Sequence, residues 1–297
     1  MGLSFYATRQ TSVQTLATRQ TSVQPLTANP KGYEQYSGNY RLADDRFISL
    51  GAFSENGDRL TFYDSKTRRV GVLYDSSDTE FVSGVMQGNE FLAGNIRLTF
   101  NKDGRGVVTG LTWQEGEASP VSARKINLPP NEEVTFHNGD VTLRGTLTLP
   151  ATRGPYPAIV LLHGSGPARR PFGMWQYFLA RHGIATLTYD KRGAGASTGD
   201  WQTASFHDLA GDALAAVQFL STRKDINPRQ VGLWGNSNSG WVVPIAASRS
   251  PNVAFVISRV GSAVPPHENV LYEIENSARQ SGLTEQEVNQ AVSLRRR

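Results

Sequence analysis

The sequence contains no cysteine. Disulfide bridges, thiolate nucleophiles and cysteine-based metal sites are therefore excluded, and the absence fits either redox compartment. Long apolar runs are missing as well. No stretch approaches the ~18 apolar residues of a membrane-crossing helix, so no membrane span is expected. The opening Met1-Gly2-Leu3-Ser4-Phe5-Tyr6 lacks the charged and apolar regions of a signal peptide, and Tyr6 stands where a myristoylation signal has Ser or Thr. As written, the chain is expected in the cytoplasm; a secreted or periplasmic location would follow if a natural leader is missing.

Concentrated charge of one sign is also lacking. The 30 basic and 26 acidic residues give a formal charge of +4 without a basic stripe, part of it in Arg295-Arg296-Arg297. A nucleic-acid partner is not expected. Five histidines are scattered without ligand spacing, so neither a metal nor an organic cofactor is expected. What remains is globular in character: 297 residues, 38% hydrophobic and 19% charged, suffice for one large core or two smaller ones.

Residues 1–31 hold a direct repeat, Ala7–Gln14 recurring as Ala17–Gln24. Two polar ten-residue units cannot bury a core, so a flexible tail is expected. From residue 32 to 126, eight short segments of strand character alternate with turn clusters such as Glu55-Asn-Gly-Asp58 and Asn101-Lys-Asp-Gly104. That pattern predicts a small antiparallel barrel or sandwich. Phe47, Phe62, Tyr63, Phe81, Phe100 and Trp113 would be its core, or alternatively the lining of a ligand cavity. The segment Arg97–Thr112 resembles the lipocalin-like β-domains attached to some serine hydrolases.

Residues 127–297 read differently. Leu128-Pro-Pro-Asn131 is a stiff linker, and Glu133–His137, Asn138-Gly-Asp140 and Val141–Leu149 form a hairpin by pattern. Tyr156–Leu162 is an apolar strand running into the glycine-containing turn His163-Gly-Ser-Gly-Pro167. A helix is expected over 172–182, a strand over Ile184–Tyr189, then the turn Asp190-Lys-Arg-Gly-Ala-Gly-Ala-Ser197. The last lacks the third glycine and the Lys-Ser/Thr of phosphate loops, so Asp190 and Arg192 are expected to make loop hydrogen bonds. Asp208–Leu220 is an amphipathic helix with Asp208 and Asp212 in its early turns, where the helix dipole favours anions. Asn227-Pro228 is expected to end that region.

Val231–Trp234 then forms a buried strand, Gly235-Asn236-Ser237-Asn238-Ser239-Gly240 a small-residue turn, and the run from Trp241 a buried helix. A serine at the apex of strand, turn and helix is the nucleophile-elbow pattern, here G-x-S-x-S-G in place of G-x-S-x-G. The bland alternative is a polar loop joining strand to helix. Val253–Ile257 is a further strand. Asn269–Arg279 and Thr284–Leu294 are helices, the second opened by a Thr284–Glu287 capping box.

Three motifs in order, each at a strand end, resemble the α/β-hydrolase superfamily over residues 132–297, in its bacterial serine esterase or serine aminopeptidase-like branch. The resemblance implies an α/β sheet with helices on both faces. It implies Ser237 as nucleophile, the backbone N–H groups of Ser165 and Asn238 as oxyanion hole, and a small-molecule ester or amide as substrate. One departure matters. The family's acid and base follow the nucleophile, yet no Asp occurs after Asp225 and the sole later histidine is His267, beside Glu268. The expectation is a truncated hydrolase lacking the acid and base, weak or inactive as this chain, with His267 as the one candidate base. Three functions stay open: an ester hydrolase (or a peptidase of the same fold), a non-catalytic binding module whose β-domain captures an apolar ligand, or an incomplete product without function.

Overall fold

A computed structural model describes residues 30–43, 46–53, 59–87, 90–126, 131–170 and 172–296. The repeat-bearing tail, the Glu55–Asp58 turn and most of the proline linker lie outside the described residues. A short helix, α1 (Pro30–Tyr33), and a 3₁₀ turn (Glu34–Tyr36) precede eight antiparallel strands: β1 (Gly38–Arg41), β2 (Phe47–Phe53), β3 (Arg59–Asp64), β4 (Val70–Asp75), β5 (Glu80–Gln87), β6 (Glu90–Lys102), β7 (Val108–Glu115) and β8 (Val121–Ile126). Each pairs with its sequence neighbour, and β1 pairs with β8, closing a barrel.

Alternation decides what fills this barrel, because successive side chains point to opposite faces. Ile48, Leu50, Leu60, Phe62, Leu73, Phe81, Leu98, Phe100, Leu111 and Trp113 point inward and are buried. Tyr33, Tyr36 and Tyr40 close one end, Tyr36 packing on Phe81 and Phe100. Of the six aromatic residues named as core or cavity lining, Phe62, Phe81, Phe100 and Trp113 are core. Tyr63 points outward, its ring 4.7 Å from that of Phe178, and Phe47 lies on the outside under the guanidinium of Arg181.

The second half forms a six-stranded mixed sheet in the order β14-β13-β11-β12-β10-β9. Its strands are β9 (Glu132–Asn138), β10 (Val141–Thr148), β11 (Tyr156–Leu162), β12 (Ala185–Tyr189), β13 (Ile226–Asn236) and β14 (Phe255–Arg259). The expected hairpin β9–β10 is antiparallel, and β12, β11, β13 and β14 run parallel. Helices α3 (Phe206–Ser221) and α4 (Ser239–Arg249) cover one face through Ala213, Val217, Leu220, Val242 and Ala246. The other face, with Ile159, Leu161 and Trp234, is covered by α2 (Trp175–Arg181) together with Phe53 of the barrel. Helices α5 (Pro266–Gln280) and α6 (Glu285–Arg296) form a hairpin after β14.

Several expected boundaries shift for physical reasons. The helix placed over 172–182 starts only at Trp175, because Phe172 makes an antiparallel bridge to Phe53 and Gly173 sits at φ +69°. Asn227 and Pro228 do not end a region; they lie inside β13, in the part of that strand before its register with β11 resumes at Val231. The strand placed at Val253–Ile257 is β14, two residues later. Helix α3 begins after Ser205, whose side chain forms a capping box with Asp208. Asp212, expected in an early turn favoured by the helix dipole, is fully buried and accepts two 2.7 Å hydrogen bonds from Arg192. The Thr284–Glu287 box is present as expected.

Candidate active site

Strand β13 delivers residues 235–240 to the C-terminal edge of the sheet, where crevices form in open α/β sheets. Gly235 is sterically required: a Cβ there would lie 2.5 Å from the Ser239 carbonyl oxygen and 2.9 Å from Val243 Cγ1. Ser237 follows at φ +49°, a left-handed conformation rare for a residue with a Cβ. It is held there by two backbone hydrogen bonds, its N–H donating to Arg259 O (2.9 Å) and its carbonyl accepting from Gly240 N–H (2.8 Å). The side chain is exposed, and Oγ has no hydrogen-bond partner among the described residues. Gly240 abuts Gly261, whose own Cβ would lie 2.8 Å from Gly240 Cα, so the start of α4 sits tightly against the chain leaving β14.

The serine in place of the pattern's second glycine has a partner. Ser239 is buried, and its hydroxyl donates to the His163 carbonyl at the end of β11. One side chain thus ties the first turn of α4 to the turn carrying Ser165.

That turn is fixed from several sides. Lys191, buried beneath it, donates its ammonium to the carbonyls of Gly164 and Gly166 (2.8 Å to the latter), and its N–H bonds Ala168 O at 3.0 Å. Asp190 accepts from the N–H groups of Arg170 (2.8 Å) and Ala196 (2.9 Å). With these carbonyls turned toward Lys191, Ser165 is exposed, and neither the Ser165 N–H nor the Asn238 N–H bonds another described residue. The sequence had singled out Asp190 and Arg192 in this region but not Lys191. Its signal was only a lysine between two loop-forming residues after a buried strand.

The other titratable groups do not converge on Ser237. His163 is fully buried, its ring 5.1 Å from that of Phe172. Desolvation, with a further push from the Lys191 charge, lowers its pKa to about 3 against a hydrogen bond involving the Tyr189 backbone. It stays neutral and structural. His267 stands in the first turn of α5, with its side chain 75% exposed and Nε2 3.9 Å from Glu268 Oε1. It makes no hydrogen bond to Ser237 in the described structure. Next to Ser237, Arg259 donates to Asn236 Oδ1 (2.7 Å) and lies 6.0 Å over the Trp175 ring. No cluster of three His, Asp or Glu side chains suited to a metal occurs among the described residues. No described helix is long and apolar enough to cross a membrane.

The chain is 31% identical over 173 residues to esterase EstD of Thermotoga maritima, covering 54% of this chain and 40% of that protein. It is 32% identical over 136 residues to the thiohydrolase aneE of Aspergillus aculeatus, covering 43% and 42%. The chain therefore spans less than half the length of these curated relatives. The crystal structure of the α/β hydrolase GrgF from a Penicillium species is 27% identical, with a TM-score of 0.41 over 52% of this chain and 56% of that one. Residues 138–296, over half of the sequence, match the family described as X-Pro dipeptidyl-peptidase (S15 family). The chain belongs to that family, and with it to the α/β-hydrolase superfamily.

Proposed function

We propose that this hydrolase acts on carboxylic esters through an acyl-enzyme on Ser237. The observation that carries the reading is the exposed Ser237 at φ +49° at the end of β13, with the Ser165 and Asn238 N–H groups bonded to no other described residue. In the reaction, Ser237 Oγ bonds to the acyl carbon while the carbonyl oxygen takes up negative charge. The Ser165 and Asn238 N–H groups donate to that oxyanion, a stabilisation worth ~3–4 kcal/mol per donor in comparable sites. Collapse expels the alcohol, which leaves with a proton, and water then releases the acid and restores the serine.

Proton transfer from Oγ needs a base, and His267, 75% exposed beside the 55% exposed Glu268 at 3.9 Å, is not held in one orientation. Slow turnover by this chain follows. The second reading is hydrolysis of small amides, favoured by one observation, the match of residues 138–296 to X-Pro dipeptidyl-peptidases. Esterase EstD, the thiohydrolase aneE and that family name three leaving groups on one acyl-transfer scheme.

The test is labelling of the chain by a fluorophosphonate, comparing wild type with Ser237→Ala. Parallel assays would use p-nitrophenyl butyrate and an X-Pro p-nitroanilide. Labelling that requires Ser237, with release of p-nitrophenol faster than of p-nitroaniline, is the expected result. Equal labelling of both proteins would refute the assignment of Ser237.

A further inference from the structure

The barrel packs on side chains of α2 and, at backbone level, on the short segment Phe172–Trp175, which leaves the turn of Ser165 and enters α2. Gly51 of β2 and Thr61 of β3 belong to the outward-facing set of the barrel, alternating with the inward Leu50, Ala52, Leu60 and Phe62. Gly173 N–H donates to Ala52 O (2.6 Å), and Met174 N–H donates to Thr61 Oγ1 (3.2 Å). The same Thr61 hydroxyl donates to Gly51 O at 2.9 Å. A Cβ on Gly51 would overlap the Gly173 carbonyl, and one on Gly173 would lie 2.7 Å from Thr61 Oγ1. This contact is therefore fitted at backbone level on both sides.

From this segment, packed side chains run to both halves of the candidate site. Phe172 is buried between Phe53 of the barrel (5.5 Å between ring centroids) and His163 (5.1 Å), at the base of the Ser165 turn. Trp175 lies 5.1 Å from Trp234 on the elbow strand and under Arg259. Arg259 holds the elbow through its own carbonyl to Ser237 N–H and its guanidinium to Asn236.

We infer that the barrel is a brace for the hydrolytic site: Gly51 and Thr61 are positioning residues that, through Phe172 and Trp175, fix the Ser165 turn against the Ser237 elbow. The inference rests on the reading of Ser237 and Ser165 proposed above. It gives the barrel a task that needs no ligand in its interior, in keeping with a core filled by side chains. The physical basis is preorganisation. Donors to an oxyanion act fully only when already in place, and a misplacement of about 1 Å can cost on the order of a hundredfold in rate.

The experiment uses the full chain and four variants. Gly51→Ala inserts a wedge at Gly173, and Thr61→Val removes the shared hydroxyl while keeping its shape. Thr61→Ser restores the hydroxyl, and Gly104→Ala adds a methyl where the structure leaves open space. Amide hydrogen exchange of residues 163–174 and the rate of fluorophosphonate labelling are measured for each, with residues 96–100 reporting the barrel core. Gly51→Ala and Thr61→Val are expected to speed exchange over 163–174 by about tenfold or more, as local opening does. They should slow labelling by a similar factor and leave 96–100 protected. Thr61→Ser and Gly104→Ala should match wild type.

Unchanged exchange over 163–174 in both disruptive variants would overturn the brace, as would faster exchange with an unaltered labelling rate. Loss of protection at 96–100 in Thr61→Val and Thr61→Ser alike would assign Thr61 to barrel folding and overturn its positioning role. If wild type is not labelled at all, it is the reading of Ser237 that fails. The exchange arm then still decides whether the barrel holds the turn.

Discussion

Replacing Ser237 by glycine and by alanine separates backbone strain from side-chain chemistry. At φ +49° a residue with a Cβ pays a left-handed penalty of about 1–2 kcal/mol, which glycine escapes. Glycine loses more freedom on folding, so in ordinary positions it is less stable than alanine by roughly 0.5–1 kcal/mol. At this position the two contributions oppose, and the strain relief is the larger. Ser237→Gly is expected to be more stable than Ser237→Ala by about 0.5–1 kcal/mol, a reversal of the usual order. The exposed side chain makes no hydrogen bond among the described residues, and both backbone hydrogen bonds survive in either variant. Packing losses therefore do not confuse the comparison. Equilibrium urea unfolding would read the difference as a midpoint shift of about 0.3–0.5 M at unchanged slope. Neither variant should accept a fluorophosphonate. An alanine variant as stable as the glycine variant, or more so, would show that the serine is not strained and would remove the steric argument for an elbow.

Three further outcomes follow from the same contacts. Gly235→Ala forces its methyl against the Ser239 carbonyl and Val243, and should cost about 1–3 kcal/mol in urea unfolding while slowing Ser237 labelling. Asp212→Ala leaves the Arg192 guanidinium buried without its two 2.7 Å acceptors, a loss of about 3–5 kcal/mol, whereas Asp208→Ala removes only the exposed capping box and should cost about 1 kcal/mol. His163 is neutral in the folded chain with a pKa of about 3, below its unfolded value near 6.5. Because the unfolded state binds the proton first, this group's stabilising contribution is full above about pH 6.5 and falls as pH drops toward about 3. Its imidazole signals should not titrate between pH 5 and 8, and His163→Phe should flatten the acid limb of the stability profile.

The strand, turn and helix around Ser237 were legible because their constraints are local. Small residues at 235 and 239 around a serine, after four mostly apolar residues, are a steric demand written within a few positions. The same holds for the Thr284–Glu287 box, whose partners are three residues apart, and for the β9–β10 hairpin, whose register starts from the adjacent pair Val141 and Asn138. Helix α2 was misjudged for the opposite reason. Phe172, Trp175, Phe178 and Leu179 have helical spacing, yet Phe172 is claimed by Phe53, more than a hundred residues earlier in the chain. Asp212 was expected only to favour the helix dipole from an early turn; the loop after β12 gives it Arg192 as a buried partner.

The sequence by itself determined the alternation that fills the barrel and the parallel strands of the sheet. It also marked Ser237 in the turn between strand and helix, since these depend on period and on neighbours along the chain. The tertiary structure alone decided that Ser239 ties the elbow helix to the His163 carbonyl and that Lys191 holds the Ser165 turn. It alone docked the barrel on Phe172–Met174 and left His267 exposed in α5. Those outcomes depend on which backbone carbonyls and aromatic faces meet across the fold. Nothing in a residue's own neighbourhood encodes a partner that only folding brings within about 3 Å.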